Sequence, residues 1–107
     1  MHQASRRAQS DLGLSVPTNS DLGRAIRRLR RDQKRTIEAL ALDADMHPTY
    51  LSGIERGRRN PTWDKITSLA RTLDVSLAIL VQAAEDEAEV ACAVRDARAR
   101  IAVGNTR

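Results

Sequence analysis

Pro48 sits inside a run of residues otherwise suited to helix, and it divides that run in two. Proline fixes its own φ, lacks an N–H, and disfavours helical geometry at the residue before it, here His47. A helix capped by Thr36 must therefore end at Ala44 to Met46, while His47 as N-cap and Pro48 at the first helical position begin another. Leu40 and Ala41 face inward on the first of these. Leu51 and Ile54, one turn apart, mark the inner face of the second, and Gly57 is placed to terminate it. The chain has to fold around two short helices joined by a tight turn.

The flanking sequence supplies the rest of an all-α domain. Upstream, Leu22, Ala25, Ile26 and Leu29 recur at helical spacing behind Ser20, which reads as the N-cap, and the helix ends near Lys34. Downstream, Thr62 caps a fourth helix with Ile66, Leu69, Ala70 and Leu73 on its inner stripe, and Asp74 and Val75 break it. Ser76 opens a fifth helix through Leu77, Leu80 and Val81. The sequence then stays favourable to helix as far as Val103, where Gly104 ends the pattern. The 107 residues include no Phe, one Trp and one Tyr, so the core must come from Leu, Ile, Val, Ala and Met, which argues for packed helices over a β-sandwich. Trp63 reads as an anchor at the core edge and Cys92 as packing. With one Cys and two His there is neither an internal disulfide nor a zinc-ligand set, and no metal or other cofactor is expected. The expected division is a flexible N-terminal arm over 1–19, a five-helix domain over 20–82, and an added C-terminal helix with a short tail over 83–107.

Charge is concentrated. Residues 24–35 carry seven basic side chains and one acid, with Arg24, Arg27, Arg28 and Arg31 on the outer face of the first helix, while residues 82–107 carry four basic and five acidic ones. The positive field belongs to the middle of the chain, and its natural partner is a polyanion. Met1 to Pro17 lack the continuous apolar core of a signal peptide, and no stretch approaches the roughly 18 apolar residues that span a bilayer, so the expected location is cytoplasmic with no membrane partner.

Two short helices around a turn of about three residues, preceded by a basic helix and followed by a basic loop, have the spacing of a helix-turn-helix. The run Thr36-Ile37-Glu38-Ala39-Leu40-Ala41, then Tyr50-Leu51-Ser52-Gly53-Ile54-Glu55-Arg56-Gly57, then Asn60-Pro61-Thr62 and Leu73-Asp74-Val75-Ser76-Leu77, resembles the lambda-repressor-like family of Cro and phage-repressor type regulators over residues 21–82. The resemblance implies that the helix after His47 lies in the major groove of DNA. It carries Pro48, Thr49, Ser52 and Gly53 to base edges, and His47 and Tyr50 to the neighbouring backbone. It also implies an ion pair between Arg30 and Glu55 that ties the reading helix to the first helix. Only Thr49 and Ser52 among the base-edge positions hydrogen-bond through side chains, so specificity leans on DNA shape and on Arg56. Phosphate contacts are expected from the start of the second helix at Thr36, and from Arg58, Arg59 and Asn60 in the basic loop. The sequence departs from the family pattern at Ile37, which lacks the usual DNA-reaching Gln, at Asp45, where the turn usually has Gly, and at Lys34-Arg35, where Gly-Leu is usual. Arg35 therefore loses a core side chain and is a candidate for an added phosphate contact.

The function read from these residues is a sequence-specific transcriptional regulator, a repressor, binding an inverted-repeat operator in double-stranded DNA as a homodimer. The alternatives are an antitoxin with a toxin partner, or a restriction-modification controller that regulates its own operon; further off is an adaptor that keeps the fold without DNA binding. No nucleophile-base pair, carboxylate pair or glycine-rich phosphate loop supports an enzyme. For assembly, Val90, Val94, Ala97 and Ile101 form a narrow apolar stripe on an otherwise charged helix, and Ile79 offers an apolar landing site beside Leu80 and Val81.

Overall fold

The computed structural model describes residues 16–105, with side chains to Ile101; most of the expected arm lies outside the described residues. Five helices follow one another: α1 Asn19–Asp32, α2 Ile37–Asp43, α3 Pro48–Glu55, α4 Trp63–Thr72 and α5 Leu77–Asn105. No strand occurs among the described residues.

The start of α1 differs from the expectation. Its N-cap is Thr18, two residues before Ser20, because only Thr18 places a reciprocating acid at the third helical position: the Asp21 N–H donates to Thr18 Oγ1 while the Thr18 N–H donates to Asp21 Oδ2 at 2.8 Å. Asp21 is buried by this exchange and also receives Arg24. The other caps lie where the residue types put them, at Thr36, His47 and Thr62, and Ser76 Oγ accepts from the Ile79 N–H at the start of α5.

Each of the first four helices ends the same way. The residue after the C-cap turns into the left-handed region and two N–H groups reach back to the last carbonyls, as in Lys34 to Arg31 and Arg35 to Arg30. Glycine takes that role only at Gly57; Lys34, Asp45 and Asp74 adopt it with φ of 57°, 55° and 57°, at a conformational penalty of order 1 kcal/mol each.

The core is aliphatic. Ile26, Leu40, Leu51, Ile54, Leu69, Leu73 and Leu80 are fully buried, with Ala25, Ala41, Ala44 and Ala70 filling the gaps between helices. Trp63 is not the expected anchor. At the first position of α4 it projects outward and stands 64% exposed, and Pro61 is the buried residue at this entry to the helix.

The expected fifth helix and added C-terminal helix are one. Nothing between Leu77 and Val103 interrupts an alanine-rich run with a Pro or Gly, so α5 continues through 29 residues. Its first half packs against α1 and α4. Ala84 and Ala88, small enough for close approach, are buried there, and Glu87 lies 4.0 Å from Arg28. Its second half extends beyond the bundle and gives the molecule a long axis of 52 Å against 30 and 21 Å. No single helix among the described residues is long and apolar enough to cross a membrane.

Candidate nucleic-acid interface

α3 is held from behind so that its front is presented. Leu51 and Ile54 anchor it in the core, and on its α1 side two features fix the distance and the rotation. Gly23 lies so close that a Cβ there would sit 2.2 Å from the Ile54 carbonyl oxygen and 2.6 Å from that of Glu55. Beside this contact Arg30 grips Glu55 with both arms of its guanidinium, Nε to Oε2 at 2.7 Å and Nη2 to Oε1 at 2.9 Å, and its third donor reaches the Arg35 carbonyl at 2.9 Å. The side chains are only 9% and 4% exposed. Hydrogen bonding to Glu55 is the main reason the Arg30 guanidinium is held even more firmly protonated than usual, against the opposing effect of burial.

The front of α3 carries the exposed Thr49 and the half-buried Ser52 and Gly53. His47 turns its ring back on the helix, with Nδ1 accepting from the Thr49 N–H at 3.1 Å. Arg56, Arg58, Arg59 and Asn60 are all exposed where the chain leaves the helix. Arg59 folds back across α3. Its Cγ lies 2.7 Å from where a Cβ on Gly53 would stand, and its guanidinium carbon rests 5.7 Å from the centroid of the Tyr50 ring. Thr49, Ser52, Gly53, Arg56, Arg58 and Arg59 thus line one shallow cleft, bringing together positions that the sequence divides between base edges and phosphates.

Thr36 stands exposed at the start of α2, its hydroxyl oxygen accepting from the Ala39 N–H at 3.0 Å. Arg35 is tied to two other elements of the fold. Its guanidinium donates to the Thr72 carbonyl at 2.7 Å and to Asp43, and neighbouring Gln33 donates to the Leu73 carbonyl at 2.6 Å. The charge that replaces the usual leucine therefore ties the α1–α2 turn to the end of α4.

Of the residues read as an assembly surface, Ile79, Val90, Val94, Ala97 and Ile101 are all exposed, but Leu80 is in the core. Ile79 cannot receive the stripe within one chain, because both lie on the same continuous helix. Among the described residues no group of three or more His, Cys, Asp or Glu side chains is arranged to hold a metal ion. Sequence reasoning missed Gly23 and the fold-back of Arg59. The first carries a readable signal, a glycine inside a helical pattern; the second has none, since it depends on where the loop returns.

A family model described as a helix-turn-helix domain matches residues 21–83, well over half of the chain. The chain belongs to the helix-turn-helix family. The match begins at the capping Asp21 and runs into the start of α5, so it takes in the turn between α2 and α3 and the whole scaffold behind it. This helix-turn-helix chain is 39% identical over 54 residues to the control protein C.BamHI of Bacillus amyloliquefaciens, covering 50% of this chain and 67% of the relative. It is similar in structure to the clp gene regulator ClgR of Corynebacterium glutamicum, with a TM-score of 0.73 and 31% identity over 78% of this chain and 87% of ClgR. It is also similar to the restriction-modification controller protein C.Esp1396I, whose tetramer is known in complex with its natural 35 base-pair operator; the TM-score is 0.61 with 30% identity, over 64% of this chain and 91% of that one.

Proposed function

We propose that the protein is a sequence-specific DNA-binding transcriptional regulator, a repressor acting as a twofold homodimer, with α3 seated in the major groove of double-stranded DNA. The observation that carries this reading is the cleft on the front of α3: two short hydroxyl side chains and a bare glycine, framed by three arginines, on a helix locked to its scaffold by Arg30, Glu55 and Gly23. Small side chains permit close approach to base edges, and guanidinium groups beside them neutralise phosphate. These groups suit holding DNA and not transforming it. Cytoplasmic residence follows from the same ligand.

Within this reading Thr49, Ser52 and Arg56 act at base edges, with Pro48 and Gly53 setting the approach. Arg58, Asn60, His47 and the start of α2 at Thr36 position the protein on phosphates. Arg59, laid on Tyr50 and across Gly53, belongs with the readers more than with the phosphate contacts. A repressor occupies its operator without needing a contact to polymerase. The similarity to C.BamHI and C.Esp1396I favours, as a second reading, a restriction-modification controller over an antitoxin with a toxin partner. All three use the same face.

Reading and positioning have separable signatures. Arg58→Ala should weaken binding about equally to specific and random duplexes and lower the slope of log affinity against log salt by about one for each phosphate left unneutralised, hence about two in a dimer. Thr49→Ala and Ser52→Ala should leave that slope nearly unchanged and erode preference for the specific site by roughly 1–3 kcal/mol. Salt titrations of binding to both duplexes check this. Full sequence preference in both hydroxyl variants would remove α3 as the reader.

A further inference from the structure

The homodimer proposed above can use many surfaces, and α5 carries information about which one and in which sense. At about 100° per residue, Leu80, Ala84 and Ala88 point toward α1 and are buried. Roughly a third of a turn away, Ile79, Ala83, Val90, Val94, Ala97 and Ile101 fall along one line. Ile79, Val90, Val94 and Ile101 on that line are 53%, 57%, 43% and 62% exposed. The line is about 33 Å long at 1.5 Å per residue, and it outruns the bundle that covers the first half of the helix.

The charges along this part of α5 are segregated. Glu85, Asp86, Glu87 and Glu89 precede its middle; Arg95, Arg98 and Arg100 follow it, with Asp96 the one acid among them. A self-pairing helix of this composition is not indifferent to direction. Parallel pairing in register sets the acidic block against its own copy and the arginines against theirs. Antiparallel pairing sets acid against arginine at both ends.

We infer that α5 is the contact between the two copies and that the helices pair antiparallel, crossing close to Cys92. This rests on the dimeric reading above and adds its surface, direction and register. Val90 packs against the partner's Val94, and Ala83 against the partner's Ile101. On one flank of the line Glu87 meets the partner's Arg98, and on the other Asp86 meets the partner's Arg100, while Glu85 and Arg95 lie on the Cys92 side of the helix. Exposed ion pairs of this kind are individually weak, but summed with the like-charge repulsion of the parallel arrangement they select orientation, as flanking charges do in coiled coils. The apolar line supplies the driving force. Cys92 points to the other side of the helix, so this contact forms no disulfide. The surface has one other claimant within the chain. Val90 and Val94 floor a groove beside the start of α1, and residues 1–15, with Leu12 and Leu14, precede that point in sequence.

Site-directed cross-linking tests the direction. In a Cys92→Ser background of the full chain, Ala83→Cys and Ile101→Cys lie 18 residues apart, about 27 Å along the helix, whereas a disulfide needs Cα atoms within about 7 Å. Mild oxidation of a mixture of the two variants should give a covalent mixed dimer, and each variant oxidised alone should stay uncross-linked. Cross-linking of either variant with itself would establish parallel pairing and overturn the inference. So would a mixture that fails to cross-link while sedimenting as a dimer, which leaves the dimeric reading standing on another surface. Sedimentation as a monomer at micromolar concentration, free and on DNA, would remove both and leave the groove to residues 1–15. Val90→Asp, on the exposed line and away from the core, should turn the dimer into a monomer with helicity unchanged by circular dichroism.

Discussion

Glu55→Ala is expected to destabilise the fold by about 3–5 kcal/mol, and Arg30→Ala by a comparable amount, because each removes one half of a buried, doubly hydrogen-bonded pair and strands the other charge. An exposed pair would contribute at most about 1 kcal/mol, so the size of the effect reports the burial. The damage reaches beyond the pair. Arg30 also holds the Arg35 carbonyl, so its removal frees the turn that leads into α2. Replacing both partners together by apolar side chains, as in Arg30→Met with Glu55→Leu, should recover most of the stability, since no charge is then buried alone. Because the guanidinium is held above its ordinary pKa in the folded state, its contribution is fully present below the unfolded value and declines only as pH rises through the folded one. Arg30 therefore adds no pH dependence near neutrality. Thermal unfolding of the four proteins checks all of this, and changes within error of zero for both single variants would contradict it.

The second large effect concerns Gly23. In an isolated helix, exchanging glycine for alanine stabilises by about 1 kcal/mol. Here the added methyl would meet two backbone carbonyls of α3 at less than 3 Å, and backbone cannot swing aside as a flexible side chain does. Gly23→Ala is expected to destabilise by about 2 kcal/mol or more. In a domain of this size that lowers the melting temperature by roughly 8–16 °C. The sign alone decides between propensity and contact. On the proposed reading, any variant that remains folded should also bind DNA more weakly, because relief of the clash displaces α3; an unchanged or raised melting temperature would show that α1 and α3 are not in backbone contact.

Much of this architecture is written locally in the chain. Pro48 after His47, the hydroxyls at Thr36 and Thr62, and the periodic Leu and Ile residues of α1 and α4 each act through neighbours within a turn or two, so their consequences are readable without tertiary knowledge. The departures arise where a local signal has competitors. Ser20 and Thr18 are both good caps, and the choice falls to Thr18 only through Asp21. The expected boundary near residue 82 has no Pro or Gly to make it, and the helix runs on. The size of Trp63 argues for an inward place, but the first position of α4 turns it out. At the interface, the positions on the front of α3 are legible through the family resemblance, and the inward phase of Leu51 and Ile54 agrees with it. The position of Arg59 over Tyr50 and the capture of Arg35 by Thr72 are not, since both depend on contacts between segments far apart in sequence or across a loop.

In the proposed complex the front of α3 reads a base sequence twice, once in each half-site. Selection of bound duplexes from a random pool by the full chain tests it most directly. The expected outcome is an inverted repeat whose half-sites are centred about one helical turn, roughly 34 Å, apart on one face of the DNA, and which is no longer selected when Thr49 and Ser52 are both replaced by alanine. Uniform recovery of the pool by the unaltered protein would contradict it.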